Sequence, residues 1–317
     1  MKRFFECLFS RTGIAALVVI VAACLLSNRF SQHHEGDNVF TTLYMHLIPA
    51  PLVEDPHAHE AKALVEVPTL PIFDYRGAGE HPDGPKTALF NLQIFQVAAV
   101  LLVLVCFMRV PSYVRTGKGD PLTRIFAGFA DWVREEMVFK TMGREDGTRF
   151  LPYFMAVFFL ILFMNLLGLV PFAATATASI FVTAALAVTT FAAIILCGMF
   201  VQGPIAFWKN LVPHVPLALW PLMFVVEVIG LCVKPVSLTI RLFANMSGGH
   251  MVVLSFMGLI FFMAKTWGTA GGWGASPFGL AFSVFIMIIE SFVALVQAYI
   301  FAQLSILFVH ASMHPEH

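Results

Sequence analysis

Three charged residues, Glu227, Lys234 and Arg241, are spaced seven residues apart inside a long apolar segment. Seven residues turn an α-helix by about 20° less than two full turns, so the three side chains share one stripe, which Asn245 extends by a turn. An ionised side chain at the middle of a membrane span costs at least about 2.5 kcal/mol, and such residues usually face a cavity, a partner or an ion pathway. The stripe therefore predicts an ion-handling site.

For Glu227 and Lys234 a second interpretation stays open, namely an internal salt bridge from Glu227 to a neighbouring Lys or Arg that only fixes the order of the helices. Arg241 differs, because it lies fourteen residues from Glu227, some 20 Å along an unbroken helix, with no nearer acid in that helix. We expect its counter-charge to come from elsewhere.

A second long apolar segment carries Glu290 and Gln297, again seven residues apart and on one face, and Glu290 is the only acid of that segment. His250 follows Arg241 by nine residues, which places it about 180° around the helix and away from the arginine stripe. A lone histidine in an apolar helix is more often a packed core residue than a functional one. Because an unpaired carboxylate at that depth is costly, we nevertheless expect His250 and Glu290 to meet across the two helices.

The composition excludes an ordinary water-soluble domain. Hydrophobic residues make up 59 % of the chain and charged residues 12 %, against roughly 45–50 % and about 25 % in soluble domains. The net charge of zero gives no indication of nucleic-acid binding. We predict an all-α polytopic membrane protein without a cofactor. The five cysteines occur without C-x-x-C spacing, so they predict neither a disulfide framework nor a metal site.

The charge pattern along the chain predicts three regions. Residues 1–27 have the layout of a signal peptide or an N-terminal membrane anchor. Residues 28–88 are polar and hold nine Asp/Glu against four Lys/Arg, whereas residues 109–149 hold eight Lys/Arg against six Asp/Glu. The positive-inside rule then places residues 28–88 outside the cell membrane and residues 109–149 in the cytoplasm, on either side of a span at 89–108. Residues 89–317 form the predicted membrane domain.

Within the cytoplasmic stretch, apolar residues recur at spacings of three and four, which predicts a helix lying on the membrane surface or packed on other cytoplasmic protein. These residues are Leu122, Ile125, Phe126, Phe129, Trp132, Val133 and Met137.

The rest of the chain predicts two ordinary spans, 150–172 and 178–201, and two segments, 217–264 and 277–311, that are too long to stand upright in a bilayer. We predict five to six membrane helices, of which the last two are steeply tilted, with a cytoplasmic C-terminus. Pro221, Pro235 and the Gly248–Gly249 pair are the expected bends of the first long segment. The expected outer turn is marked by Gly268, Gly271, Gly272 and Gly274.

The residues around the arginine resemble a known signature. The string Lys234-Pro-Val-Ser-Leu-Thr-Ile-Arg241-Leu-Phe-Ala-Asn245-Met is similar to the signature of F-type ATP synthase subunit a. Gln297-Ala-Tyr-Ile-Phe301 resembles part of that subunit's last helix, and Asn165-Leu-Leu-Gly-Leu-Val-Pro171 resembles an earlier span. The resemblance covers roughly residues 89–311.

The resemblance implies a proton-translocating stator subunit without a catalytic site of its own. Its implied partners are a ring of c subunits, the b-type peripheral stalk and the remainder of the ATP synthase, within the lipid bilayer. Arg241 would face the ring carboxylates, with Lys234 in the same signature and Asn245 and Gln297 as polar neighbours of the arginine. Glu227, His250 and Glu290 would line the outer half-channel.

Two departures from the family pattern are visible. Some relatives carry an acid at the position of His250 and a histidine at that of Glu290, an exchange that two side chains sharing one site would permit. Gly168, where some relatives carry an acid, puts an ion role for the Asn165 stretch in doubt.

Two other classes of protein stay open. A proton-coupled secondary transporter would also need charges inside the membrane, but such folds often show internal repeats, and the sequence has none that we find. A receptor or binding protein would use the outer region, where His33, His34, His57 and His59 are spaced to bind a transition metal.

Overall fold

The computed structural model describes residues 10–30, 90–170, 173–211, 216 and 219–314. The regular elements in this part of the chain are all helices. They are α1 Arg11–Phe30, α2 Asn91–Phe107, α3 Val110–Thr116, α4 Pro121–Trp132, a π-helical segment Val133–Phe139, α5 Lys140–Gly168, a 3₁₀ turn Ala176–Ala178, α6 Ile180–Gln202, α7 Pro204–Asn210 and α8 Trp220–Met313.

Five helical stretches are long and apolar enough to cross a membrane, and the last of them, α8, has 94 residues. The backbone of α8 leaves helical geometry at Trp267 and Gly268 and turns back on itself, so it forms two arms, residues 220–266 and 269–313. Each arm would extend for roughly 70 Å against a hydrocarbon core of about 30 Å. The predicted fold class, including the two long C-terminal helices, is confirmed.

The position of the turn differs from the prediction. Gly268 has φ 73° and ψ −173°, a conformation essentially restricted to glycine. Gly271, Gly272 and Gly274 are instead helical, so the second arm begins at residue 269 and not near 277. At Pro221, Pro235 and Gly248–Gly249 α8 keeps helical φ and ψ, so the first arm does not break there, and bends at these positions stay predictions.

The centre of the protein is α5, which contacts α2 on one side and α8 on another. Its apolar residues are buried because neighbouring helices surround it; the largest are Phe154, Phe158, Phe159 and Ile161. Within α5 the backbone leaves helical geometry at Gly143 (φ 76°, ψ 175°), so the continuous helix of the span begins at residue 144, six residues before the predicted start.

Contacts at one end of the bundle bring three helix ends together. His314, which follows α8, lies 2.8 Å from Asp146 near the start of α5. At the end of α6 the Gln202 amide donates to the Ser312 carbonyl over 2.6 Å. The start of α5, the end of α6 and the end of α8 therefore share one end, as the predicted alternation of the spans requires.

The N-terminal predictions are only partly covered. α1 is twenty residues long and packs against α2 with Ala23 buried. Whether residues 1–27 are removed stays a prediction, and the predicted outer region 28–88 lies almost wholly outside the described residues.

Candidate functional site

The two arms of α8 lie antiparallel, and side-chain contacts fix their register. Lys234 Nζ lies 4.8 Å from the centre of the Phe308 ring. Nearer the turn, the Phe256 and Phe282 rings stack with centroids 5.1 Å apart. Between these contacts Arg241 falls opposite residues near 300, which puts Gln297 within about one helical turn of its level.

Arg241 is half-buried and forms neither a hydrogen bond nor an ion pair with any residue that the structure describes. The same holds for Glu227, so the internal salt bridge kept open above is absent from the described chain. Lys234 has a partner of another kind, the Phe308 ring, and such cation–π contacts contribute about 0.5–2 kcal/mol. The arginine thus has no counter-charge within the described chain.

Glu227 lies far along the helix from the other two residues that we assigned to the outer half-channel. The helix between Glu227 and His250 is continuous, so the 23 residues separate them by roughly 35 Å. Glu227 lies in the second turn of α8, at the end that also holds the C-terminus of the helix. Glu227 and the His250–Glu290 pair therefore lie at different levels of the first arm, and the half-channel to which Glu227 belongs stays a prediction.

His250 and Glu290 do meet across the two arms, with Nδ1 3.3 Å from Oε1. The Glu290 side chain is 4 % exposed and that of His250 15 %. Neither carboxyl oxygen has an aligned hydrogen-bond partner in the described chain, so the imidazole is the polar group that the carboxyl faces. The pair lies about 14 Å along the helix from Arg241, on the side of the turn.

Thr175, which we did not predict from the sequence, contacts the other ring nitrogen of His250. Its hydroxyl is hydrogen-bonded to His250 Nε2 and lies 3.4 Å from the Gly168 carbonyl oxygen. Gly168 makes this possible, because a Cβ there would lie 2.5 Å from the Thr175 methyl carbon. Thr175 sits in a short non-helical segment, where helical periodicity gives no signal.

Gly249 makes room for the buried carboxyl group. A Cβ at this position would lie 2.7 Å from Glu290 Oε1, whereas a Cβ at the neighbouring Gly248 would meet nothing within 4 Å. The Gly248–Gly249 pair, predicted as a bend, therefore contains one glycine that adjoins the His250–Glu290 pair and one that faces open space.

The remaining polar residues divide between buried and exposed positions. Asn165 is fully buried, and its side-chain amide donates a hydrogen bond to the Ala294 carbonyl over 3.2 Å. This bond connects α5 to the helical turn that follows Glu290 in the second arm of α8. Gln297 is buried on the same face as Glu290, and Asn245 is exposed. The Asn165 stretch therefore supports the pair structurally.

Among the described residues, no group of three or more His, Cys, Asp or Glu side chains is arranged to hold a metal ion. The histidines of the metal-binding alternative, including His57 and His59, lie outside the described residues.

Comparison with known proteins decides the family. The model of the ATP synthase A chain family matches residues 93–310. The chain belongs to the ATP synthase subunit a family. It is accordingly a multi-pass membrane subunit of a larger complex and has no catalytic site of its own.

Individual relatives agree with this assignment. The chain is 40 % identical to ATP synthase subunit a of Myxococcus xanthus over 225 residues, 70 % of this chain and 71 % of the relative. It is 35 % identical to ATP synthase subunit a 2 of Chlorobaculum tepidum, over 77 % of this chain and 72 % of the relative. It is 42 % identical to the Anaeromyxobacter sp. subunit and spans about half of that protein, 51 %.

Two glycine substitutions provide a matched test of the site. In Gly249→Ala the new methyl group must push the Glu290 carboxyl away from His250, and displacements of about 1 Å at a reacting group can cost up to a hundredfold in rate. We expect ATP-driven acidification of inverted membrane vesicles to fall by roughly tenfold or more, with normal amounts of assembled complex. Gly274→Ala, at a helical glycine of the second arm where a Cβ also meets nothing within 4 Å, should keep nearly full activity. Equal activity of the two variants would show that the carboxyl position is unimportant.

Proposed function

We propose that this chain is the proton-translocating stator subunit of a rotary F-type ATP synthase, which forms two half-channels against a ring of c subunits. The observation that carries the proposal is Arg241, a permanent cation on a helix of the membrane domain that has no counter-charge in the described chain. Family membership supports this function.

Arg241 acts on the carboxyl groups of the ring. A guanidinium stays protonated at any physiological pH, so it stabilises each ring carboxylate in its ionised form and favours proton release as that site passes. Its fixed charge also repels protons and so blocks a direct leak between the half-channels. Asn245 and Gln297, within about a turn of Arg241, offer polar groups to the same carboxylate.

His250 and Glu290 relay protons on the turn side of Arg241. If the Thr175 hydroxyl donates to the Gly168 carbonyl, it accepts a hydrogen bond from Nε2–H of His250. The neutral imidazole then presents the lone pair of Nδ1 to the Glu290 carboxyl. A proton shared between these two groups can pass in either direction with a small change in free energy, since an imidazole titrates near neutral pH.

Glu227 serves the opposite half-channel. It lies roughly 35 Å from the His250–Glu290 pair along one continuous helix, with Arg241 between them. An entry site and an exit site that are offset in this way oblige each proton to travel on the ring for most of a turn. Each proton that moves down 100 mV supplies about 2.3 kcal/mol, so several are needed for each ATP released.

The proposed orientation follows from the charge bias of the loops. Residues 109–149 and the C-terminus lie in the cytoplasm, and residues 28–88 and the turn at Gly268 lie outside a bacterial inner membrane. The His314–Asp146 and Gln202–Ser312 contacts gather the proposed cytoplasmic helix ends, which supports this orientation. The proposed protein partners are the c ring and the b-type stalk.

Replacement of the arginine tests the proposal directly. Arg241→Ala removes the only fixed cation at that level of the stripe, so we expect ATP-driven proton pumping to be abolished. Arg241→Lys should be severely impaired, because a buried ammonium can lose its proton and lacks the planar fork of donors. Pumping is measured by acidification of inverted vesicles, with immunoblots for assembly. Near-normal acidification by Arg241→Ala would refute the proposal.

Exchange of the paired residues tests the relay. His250→Glu alone places two acids together and Glu290→His alone pairs two imidazoles, so each should cripple pumping. The double exchange restores one acid and one imidazole and should recover a measurable part of the activity, as coupled neighbours do in a double-mutant cycle. Two additive losses without recovery would show that the residues work independently.

A further inference from the structure

A groove of about 600 Å³ lies between α4 and the second arm of α8, with Phe158 of α5 between them. It is separate from the Arg241 site. Leu295 and Tyr299, which line it, are each two positions from Gln297 and so lie about 160° around the arm from that residue. The groove therefore occupies the opposite face of the arm.

α4 reaches this groove with one face and packs on its own chain with the other. On the packed face, Thr123 and Ala130 are buried and the Phe126 ring lies 5.8 Å from that of Phe107. On the groove face, Ile125 and Phe129 stay exposed. The helix is amphipathic, but its open face is apolar, which is the arrangement expected where a helix borders lipid.

The walls of the groove are largely aromatic. The Trp132 ring lies 5.8 Å from that of Tyr299 and 6.3 Å from that of Phe158. Apart from the Trp132 indole N–H, the Tyr299 hydroxyl and the guanidinium of Arg124, the side chains that line it are apolar. Such a surface provides few of the hydrogen bonds that a protein partner usually makes, about one per 100–200 Å².

Arg124 supplies the charge at the rim. Its Nε donates to the Gly119 carbonyl over 3.2 Å, and the residue forms no ion pair within the described chain. The neighbouring acids are already paired: Asp120 with Arg109 at 2.9 Å, and Asp131 with another arginine at 2.6 Å. The guanidinium is therefore free to bind an anion, and phosphate oxygens match its paired donors.

An apolar groove with one free cation at its rim fits an amphiphilic anion. We propose that the groove binds one anionic membrane phospholipid, with its phosphate on Arg124 and an acyl chain along Phe129, Trp132 and Tyr299. The volume lies within the roughly 300–1,000 Å³ typical of pockets that hold a single small ligand. Gly128 borders the open part of the groove, since a Cβ there would meet nothing within 4 Å.

The test uses the purified membrane complex in detergent, supplied with phosphatidylglycerol or with phosphatidylcholine, and native mass spectrometry to count retained lipid. We expect the unmodified complex to retain one phosphatidylglycerol that survives delipidation. Gly128→Phe should lose it, because the new ring starts from a Cβ with nothing within 4 Å and occupies the groove. Arg124→Gln should reduce the preference for phosphatidylglycerol by about fivefold. The matched control is Gly274→Phe, at another helical glycine with open space around it, which should retain the lipid.

A photoreactive benzoylphenylalanine in place of Phe129 gives an independent result, since it exchanges one aromatic ring for another. We expect its adducts to be phospholipid. Retention of no lipid by the unmodified complex, equal retention by the Gly128→Phe and Gly274→Phe variants, or adducts only with another protein subunit would overturn the proposal.

Discussion

The guanidinium of Arg241 is the constraint on which the rest of the site depends. It is permanently charged, half-buried on a long apolar helix and without a counter-charge in the described chain. At that depth an unpaired charge costs several kcal/mol, so a counter-charge from a partner would stabilise Arg241. A partner with a carboxylate at the same level offsets that cost, and a partner that moves past offers many such carboxylates in turn. The proposed rotary mechanism follows from this one unsatisfied charge.

The hairpin of α8 fixes the order in which the polar residues of the site follow one another along the two arms. One turn at Gly268 sets both arms antiparallel, so each level of the membrane holds one residue from each arm. Three pairs of residues follow one another along the two arms: Lys234 with Phe308, Arg241 near the level of Gln297, and His250 with Glu290. The polar groups that we propose to pass protons are thus separated from the arginine by fixed lengths of helix. A rigid helix would keep these separations while the proposed ring moves past.

Helical rotation and charge were enough to predict part of the site. The stripe through Arg241 and the meeting of His250 with Glu290 both follow from residue spacing and from the cost of an unpaired acid. The assignment of Glu227 to the same half-channel rested on the resemblance alone, and the continuous helix then separates it from His250 by roughly 35 Å. Glycines were similarly ambiguous, because Gly249 and Gly268 look alike in the sequence although one adjoins a carboxyl and the other forms a turn. Thr175 could not be found, since its position depends on how a short loop returns to the bundle.

The claim that Arg241 faces a partner carboxylate can be measured by photo-crosslinking in the intact membrane. Asn245 is exposed one turn along the same stripe, so a benzoylphenylalanine in its place should form an adduct with the partner. The account predicts an adduct with a small two-helix subunit that carries a carboxylate at mid-membrane. The same probe at Val188, which is 60 % exposed on α6, should not label that subunit. Adducts from Asn245 with lipid alone, or products identical to those from Val188, would contradict the account.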